Sequence, residues 1–383
     1  MVGKMADRQE LSLHNDHNVY ILGAGFSAPA GLPVIANFMN TMRDGIYWLQ
    51  ANSRLDEARA VERVLEFRRR AAGAAERVPL DLENIEEIFS LASGSGDPTL
   101  IQSATLAIAA TLDFAETTKL PQPLNQGYMI DDPNFQIPVG WQQTGALGNF
   151  EGRPSRAFSF PLYDFILLIL SGGQADLPRE RRDTIITFNY DLLVEKALRN
   201  LRVPFDYGFE KSKPYFHDSF IRVNGSRTPV PVLKLHGSVN WAVTESGLGI
   251  YGDYNNVRQL PLTGPMLVPP TWNKTLSPAL SDVWDSAVVA LSTATRIVVI
   301  GYSIPVTDNY FKYLVATGLQ ENVSLRKIIF VDIDPQGISQ RVRALFRPEL
   351  NPRILEIIPS DTESFFRMHR HKIERNFVLP FVG

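Results

Sequence analysis

Five short segments carry side chains able to meet an anion, a sugar hydroxyl or a proton, and each directly follows an apolar run rich in β-branched residues. The first is "GAGFSAPAGLP", Gly23–Pro33, after "VYIL". Glycine lets a backbone turn tightly and approach a ligand. A turn between a strand and a helix also aims main-chain N–H groups at an anion. Gly23, Ala24, Gly25, Phe26, Ser27 and Pro33 therefore form a candidate phosphate-binding loop, the plainer alternative being an ordinary strand-to-helix turn. The second segment is "TFNYD", Thr187–Asp191. Asn189 and Asp191 project from one turn; an amide suits a ribose hydroxyl or a bound water, and a carboxylate suits a carboxamide N–H₂ donor. Both residues could equally cap the amphipathic stretch "DLLVEKALRN" that follows. The third segment, "KLHGSVNW", puts His236 at a strand end and before a glycine. An imidazole there can act as a base near neutral pH, or simply bond a loop carbonyl. In "GYSIPVTD", Gly301, Tyr302 and Ser303 can meet phosphate or ribose oxygens, and in "VDIDP" Asp332 can take a ribose diol.

These segments need a scaffold that gathers strand ends. "VYIL", "TIITF", "VLKL", "RIVVI" and "KIIFV", with a weaker "RILEII", are mostly apolar on both faces, as in a buried parallel sheet. The fold class read from them is α/β: a Rossmann-like, doubly wound, mostly parallel sheet that binds ligands at the carboxyl ends of its strands. The first run ends at Leu22 and the second begins at Thr184, too far apart for one crossover. Helical spacing fills the interval in "RLDEARAVERVLEFRRRAAGAAE", "LENIEEIFSLA", "TLIQSATLAIAATLDFAETT" and "SFPLYDFILLIL", so residues 39–174 read as a large helical insertion. Pro121–Pro154 reads as a long loop. After Pro335, helices and a strand-like "NFVLPFVG" are expected. The organisation expected is one domain over 1–340 and an extension, 341–383, packed on it.

Composition narrows the classes. The 383 residues are 44% hydrophobic and 21% charged, with a net charge of −3, which gives no global attraction to nucleic acid or anionic membrane. Cysteine is absent, so disulfides, thiol catalysis and thiolate zinc sites are excluded. No stretch resembles a signal peptide or is long enough to span a bilayer, and the expected location is cytoplasmic. The basic runs "EFRRR" and "PRERR" are mixed with acids and read as solvated helix faces, so direct nucleic-acid binding is not expected. Of the other histidines, His14 and His17 are expected on a disordered surface. His369 and His371 are expected on a charged helix face, and His217 in a polar loop.

As an ordered set, the segments resemble the sirtuin-related NAD-consuming superfamily. "GAGFSAPAGLP" resembles its G-A-G-x-S-x-x-x-G-[IL]-P loop, "FNYD" its Q-N-[IV]-D, "LHGS" the segment with the catalytic histidine, "GYS" its G-T-S, and "VDI" the I-N segment that holds adenosine. The chain lacks the four-cysteine zinc ribbon of sirtuin deacylases, and "VIANF" follows Pro33 where they carry D-F-R. "TFNYD", "LHGS", the helical insertion and "PPTWNK" are more similar to the sirtuin-like domains of bacterial anti-phage defence, which hydrolyse NAD. That resemblance implies an NAD⁺ glycohydrolase releasing nicotinamide and ADP-ribose as an abortive-infection effector, with NAD⁺ as substrate and no zinc. It also implies a homo-oligomer, or a partner such as a HerA-type ATPase or an Argonaute. On the resemblance, Asp191 meets the nicotinamide carboxamide, Asn189 holds the ribose or the attacking water, and His236 accepts a proton from a ribose hydroxyl or that water. Gly23, Ala24, Gly25 and Ser27 then hold the diphosphate, with Gly301 and Ser303 across the sheet, and Asp332 holds the adenosine ribose. Two other readings are an NAD-dependent protein deacylase and a non-enzymatic NAD or ADP-ribose sensor.

Overall fold

The computed structural model describes residues 17–119, 128–130, 158–160, 162–171, 183–201, 203–216, 229–260, 264–268, 278–305, 309–347, 354–369 and 372–373. Seven strands form the main sheet: β1 (Asn18–Leu22), β2 (Thr184–Thr187), β3 (Phe205–Asp206), β4 (Val230–Lys234), β5 (Arg296–Ile300), β6 (Lys327–Asp332) and β7 (Leu355–Pro359). Their order is β7-β6-β5-β1-β2-β4-β3, and every pairing is parallel. The expected class, a doubly wound parallel sheet, is the one found. Only β3 has no counterpart among the sequence runs, because two residues at a sheet edge make no periodic signal.

The sheet is buried on both faces, which is why β1, β5 and β6 read as continuous apolar runs. Helices α6 (Leu162–Leu170), α7 (Leu193–Asn200), α9 (Pro278–Thr293), α10 (Asn309–Leu319), α11 (Pro335–Leu345) and α12 (Thr362–Met368) supply partners for this core, with Ile166, Leu198, Leu291, Phe311, Ile338 and Phe365 fully or almost fully buried in it. β1 sits mid-sheet, with β5 on one side and β2 on the other. The crevice at its carboxyl end is the switch point where such sheets bind ligands.

A second core lies among α2 (Ile35–Ala51), α3 (Leu55–Ala75), α4 (Ile85–Gly94) and α5 (Pro98–Lys119). Helix α2 runs through position 39, so the helical stretch begins at Ile35. Residues from Leu100 to Ala115 bury most of the circumference of α5, the mark of a helix surrounded by others. The same core takes in Ala242 from a small sheet (Tyr215–Phe216, Trp241–Thr244, Gly247–Ile250), Tyr251 just after it, and Tyr254 from α8 (Tyr254–Arg258). Arg54 locks the two together: it pairs with Glu57 and Asp113, and Tyr254 donates to Glu57 at 2.8 Å.

"EFRRR" is a solvated face of α3, with Glu66 paired to Arg69 and Arg70. His17 overturns the expectation of a disordered surface residue. Its ring nitrogens lie 3.0 Å from the hydroxyls of Thr293 and Thr184, and its main chain bonds Thr295, tying the start of β1 to its neighbours. Of Pro121–Pro154, only Tyr128–Ile130 is described, paired antiparallel with Phe158–Phe160. His14, His217, His371, "PRERR", "PPTWNK" and "NFVLPFVG" fall outside the described residues.

Candidate functional site

A cavity of about 750 Å³ opens at the carboxyl edge of the sheet, within the usual range of small-molecule sites. The loops after β1, β2, β4, β5 and β6 all reach it. Ala24, Gly25, Ser27, Pro33, Asn189, Asp191, His236, Gly301, Tyr302, Ser303 and Asp332 line it together.

Gly23 and Phe26 do not. Phe26 turns into the sheet core, edge-on to Tyr163 with ring centres 5.4 Å apart. The glycines serve loop-on-loop packing: a Cβ on Gly23 would lie 2.5 Å from the Cα of Tyr302, and one on Gly301 would lie 2.2 Å from the Phe26 nitrogen. Gly301 also has φ +61°, a left-handed conformation. The main-chain N–H groups of Gly23, Gly25 and Phe26 donate to Ile300, Gly301 and Gly23 carbonyls. These three N–H groups are therefore committed within the protein rather than aimed at an anion.

Ser27 is 2% exposed and joins the two polar residues of "TFNYD". Its hydroxyl donates to Asp191 Oδ2 at 2.8 Å and accepts from Asn189 Nδ2 at 3.0 Å. Its proton is thus committed to a carboxylate while the residue lines the cavity. The Asn189 amide nitrogen also donates to the Gly23 carbonyl at 2.9 Å, so Oδ1 is the atom left to receive a hydroxyl or water. Asp191 Oδ1 accepts the Leu193 N–H at 3.1 Å, which starts α7. This local bond and a place in the cavity wall thus coexist in one residue, while the helix itself, with Leu192 at its N-cap, has no side-chain cap. Burial pushes the Asp191 carboxyl pKa up, opposed by Lys234, the Leu193 N–H and Ser27.

His236 is 4% exposed, set edge-on against Phe188 at 5.1 Å and beside Tyr190 at 6.2 Å. Its carbonyl accepts the Val268 N–H at 2.8 Å. Phe188 stacks on Tyr302, ring centres 4.4 Å apart and planes 11° apart, so the loops after β2 and β5 meet through their aromatics. Burial raises the Asp332 carboxyl pKa, while Oδ1 accepts the Asp334 N–H at 2.8 Å.

Several lining residues were not expected. Phe38, Ile85, Phe89, Ile108 and Leu112 bring an apolar wall from α2, α4 and α5. Thr362, from the start of α12, donates to the Gly25 carbonyl at 3.0 Å. Ile304 follows the "GYS" turn with φ +52°, rare for a β-branched residue and a mark of local strain. A lysine inside the apolar "VLKL" was the one sequence signal of the buried pair beneath the site: Lys234 Nζ lies 3.0 Å from Glu195 Oε1. Among the described residues, no group of three His, Asp or Glu could hold a metal ion, and no helix is long and apolar enough to cross a membrane.

Residues 183–349 match the family model of the SIR2-like domain. That segment holds Asn189, Asp191, His236, Gly301, Tyr302, Ser303 and Asp332; the Gly23–Pro33 loop precedes it. Similar solved structures include a mutant Sir2 homologue in complex with 2′-O-acetyl ADP ribose, 15% identical, covering 98% of this chain and 98% of that one at a TM-score of 0.43. A Sir2 structure with a p53 peptide and NAD⁺ is 14% identical over 95% of this chain and 97% of that one, TM-score 0.40. Sir2Tm bound to a propionylated peptide is 14% identical over the same shares, TM-score 0.37. No curated protein matches the chain.

Proposed function

We propose, from the premise that residues 183–349 are a SIR2-like domain, that the cavity binds NAD⁺ and that the chain hydrolyses it to nicotinamide and ADP-ribose. The observation that carries this is the convergence of Asn189, Asp191 and His236 on one cavity with Gly25, Ser303 and Asp332. Acceptors for hydroxyls and amides, a buried imidazole and apolar walls suit a dinucleotide with a neutral aromatic leaving group.

Bound NAD⁺ supplies a glycosidic bond whose pyridinium departs as neutral nicotinamide when water adds to the ribose carbon. The residues then have to orient, exclude and move a proton. Asp191, still able to accept beyond Ser27 and Leu193, takes the carboxamide N–H₂. Asn189 Oδ1 takes the ribose hydroxyl or the water. His236 takes the proton from the ribose hydroxyl or the water, a contribution of roughly 10²–10⁴-fold in rate. Asp332 holds a ribose diol, and Ala24, Gly25, Gly301 and Ser303 lie where the diphosphate passes. Phe38, Ile85 and Phe89 keep bulk water from the leaving group. Hydrolysis without a protein acceptor consumes NAD⁺ and leaves no modified product, which is the outcome an abortive-infection effector requires. Self-association or an ATPase or Argonaute partner would supply its trigger.

The test incubates the purified protein with NAD⁺ and follows nicotinamide and ADP-ribose by chromatography, with and without an acylated peptide. Wild type should release both products without peptide, and Asn189→Ala and His236→Ala should release neither while remaining folded by circular dichroism. Full activity in both variants would remove these residues from the reaction. Release only with acylated peptide would make the chain a deacylase.

A further inference from the structure

The observation that the proposed reaction does not use is the buried ion pair under the cavity. Lys234 ends β4 and is 1% exposed; Glu195, on α7, is 0% exposed. Lys234 Nζ donates to the Asp191 main-chain carbonyl at 2.5 Å and meets Glu195 Oε1 at 3.0 Å. The same Glu195 oxygen accepts the Tyr207 hydroxyl at 3.1 Å, and Asn240 Nδ2 lies 3.4 Å from that hydroxyl. Glu195 Oε2 is buried without a hydrogen bond.

Stability does not account for this arrangement. Two charges taken out of water gain little over well-packed apolar residues of the same size, and an oxygen left unbonded adds a cost. What the pair does hold is the site. Through Asp191 it ties the loop after β2 to the strand that leads, after Leu235, into His236. From its place on the Asp191 main-chain carbonyl, the ammonium also favours the charged form of the Asp191 carboxyl, the form in which both oxygens accept hydrogen bonds. We propose that Lys234, oriented by Glu195, is a positioning residue that, through its bond to the Asp191 main-chain carbonyl, keeps Asp191 an acceptor in the cavity wall; this rests on the reading of Asp191 given above.

The groups acting on Asp191 come from each element packed on it: Lys234 from β4, Ser27 from α1 (Ala24–Ser27), the Leu193 N–H and Glu195 from α7, and Glu116 from α5, itself paired with Lys196. Burial raises the carboxyl pKa, Lys234 is the largest opposing influence, and Glu195 acts against Lys234.

The experiment uses the full chain. The Asp191 carboxyl is titrated by carbon NMR after aspartate labelling, with Asp191→Asn as the assignment control, and nicotinamide release is measured across pH in parallel. Lys234→Met combined with Glu195→Leu keeps the volume apolar; its Asp191 midpoint should rise by about one pH unit. The acid limb of turnover should move to higher pH with it, so kcat should fall most on the acid side of the profile. Glu195→Gln keeps the shape and removes the opposing charge, so its midpoint should fall. It serves as the deciding variant if the double substitution does not fold. An unmoved midpoint in a folded variant overturns the proposal. A moved midpoint in a protein whose wild type releases no nicotinamide upholds the positioning role and rejects the hydrolase reading.

Discussion

Ser27→Ala tests the site geometry directly. The Ser27 hydroxyl links Asn189 and Asp191, accepting from the first at 3.0 Å and donating to the second at 2.8 Å. At 2% exposure, bulk water does not reach it to replace either bond. The bond to the carboxylate is worth about 1.5–3 kcal/mol and the bond from the neutral amide about 0.5–1.5 kcal/mol. The variant should therefore lose about 2–4 kcal/mol of stability, read as a lower urea midpoint with an unchanged slope. The part of the loss that comes from the carboxylate bond exists only while Asp191 is ionised, so the deficit should narrow as pH falls through the raised Asp191 pKa. Turnover should drop further than stability requires. Asn189 Oδ1 is aimed because its amide nitrogen is held by Ser27 and the Gly23 carbonyl, and a misplacement of about 1 Å costs roughly 10²-fold. Asp191 also loses a bond to its charged form, so the acid limb of the rate profile should move to higher pH. The assay is nicotinamide release at saturating NAD⁺ from pH 5 to 9, on protein shown folded by circular dichroism. Wild-type kcat with an unmoved acid limb would refute the hub.

Two further outcomes follow from packing and burial. Gly301→Ala should destabilise by roughly 2 kcal/mol or more, since its Cβ would press on the Phe26 nitrogen and the position has φ +61°; a melting temperature equal to wild type would contradict the loop-on-loop packing. Burial raises the Asp164 carboxyl to about 6 from an ordinary 3.8, despite the Asn200 amide at 3.1 Å. The folded state then holds a proton longer than the unfolded chain, so this residue's contribution to stability declines as pH rises from about 4 to 6. Asp164→Asn keeps an acceptor for Asn200 and should gain up to about 3 kcal/mol above pH 6 but little below pH 4; an equal effect at both pH values would show that Asp164 is not the group titrating.

Much of the fold was legible because the strands of a covered parallel sheet are mostly apolar. β1, β2, β4, β5, β6 and β7 all coincide with the runs read from the sequence, and so do helices α3 to α6. The order of the five polar segments along the chain, each at a strand end, and the absence of cysteine were likewise properties of the sequence itself. A parallel sheet then dictates that the segments share one edge.

What each polar residue touches there was decided only by the tertiary structure. The sequence contains Ser27 and Asp191 but cannot say that positions 164 residues apart share a proton. It contains three glycines in a turn but not the second turn, at Gly301, that requires Gly23 to lack a side chain. It contains a lysine in an apolar strand but not the glutamate on a helix that faces it. It contains His17 near the start of the chain but not the threonines on either side that hold it. Local pattern follows from the partition of apolar side chains between water and the interior, which acts along the chain. Hydrogen bonds, ion pairs and steric contact depend on distance and burial, and these exist only once remote segments have been brought together.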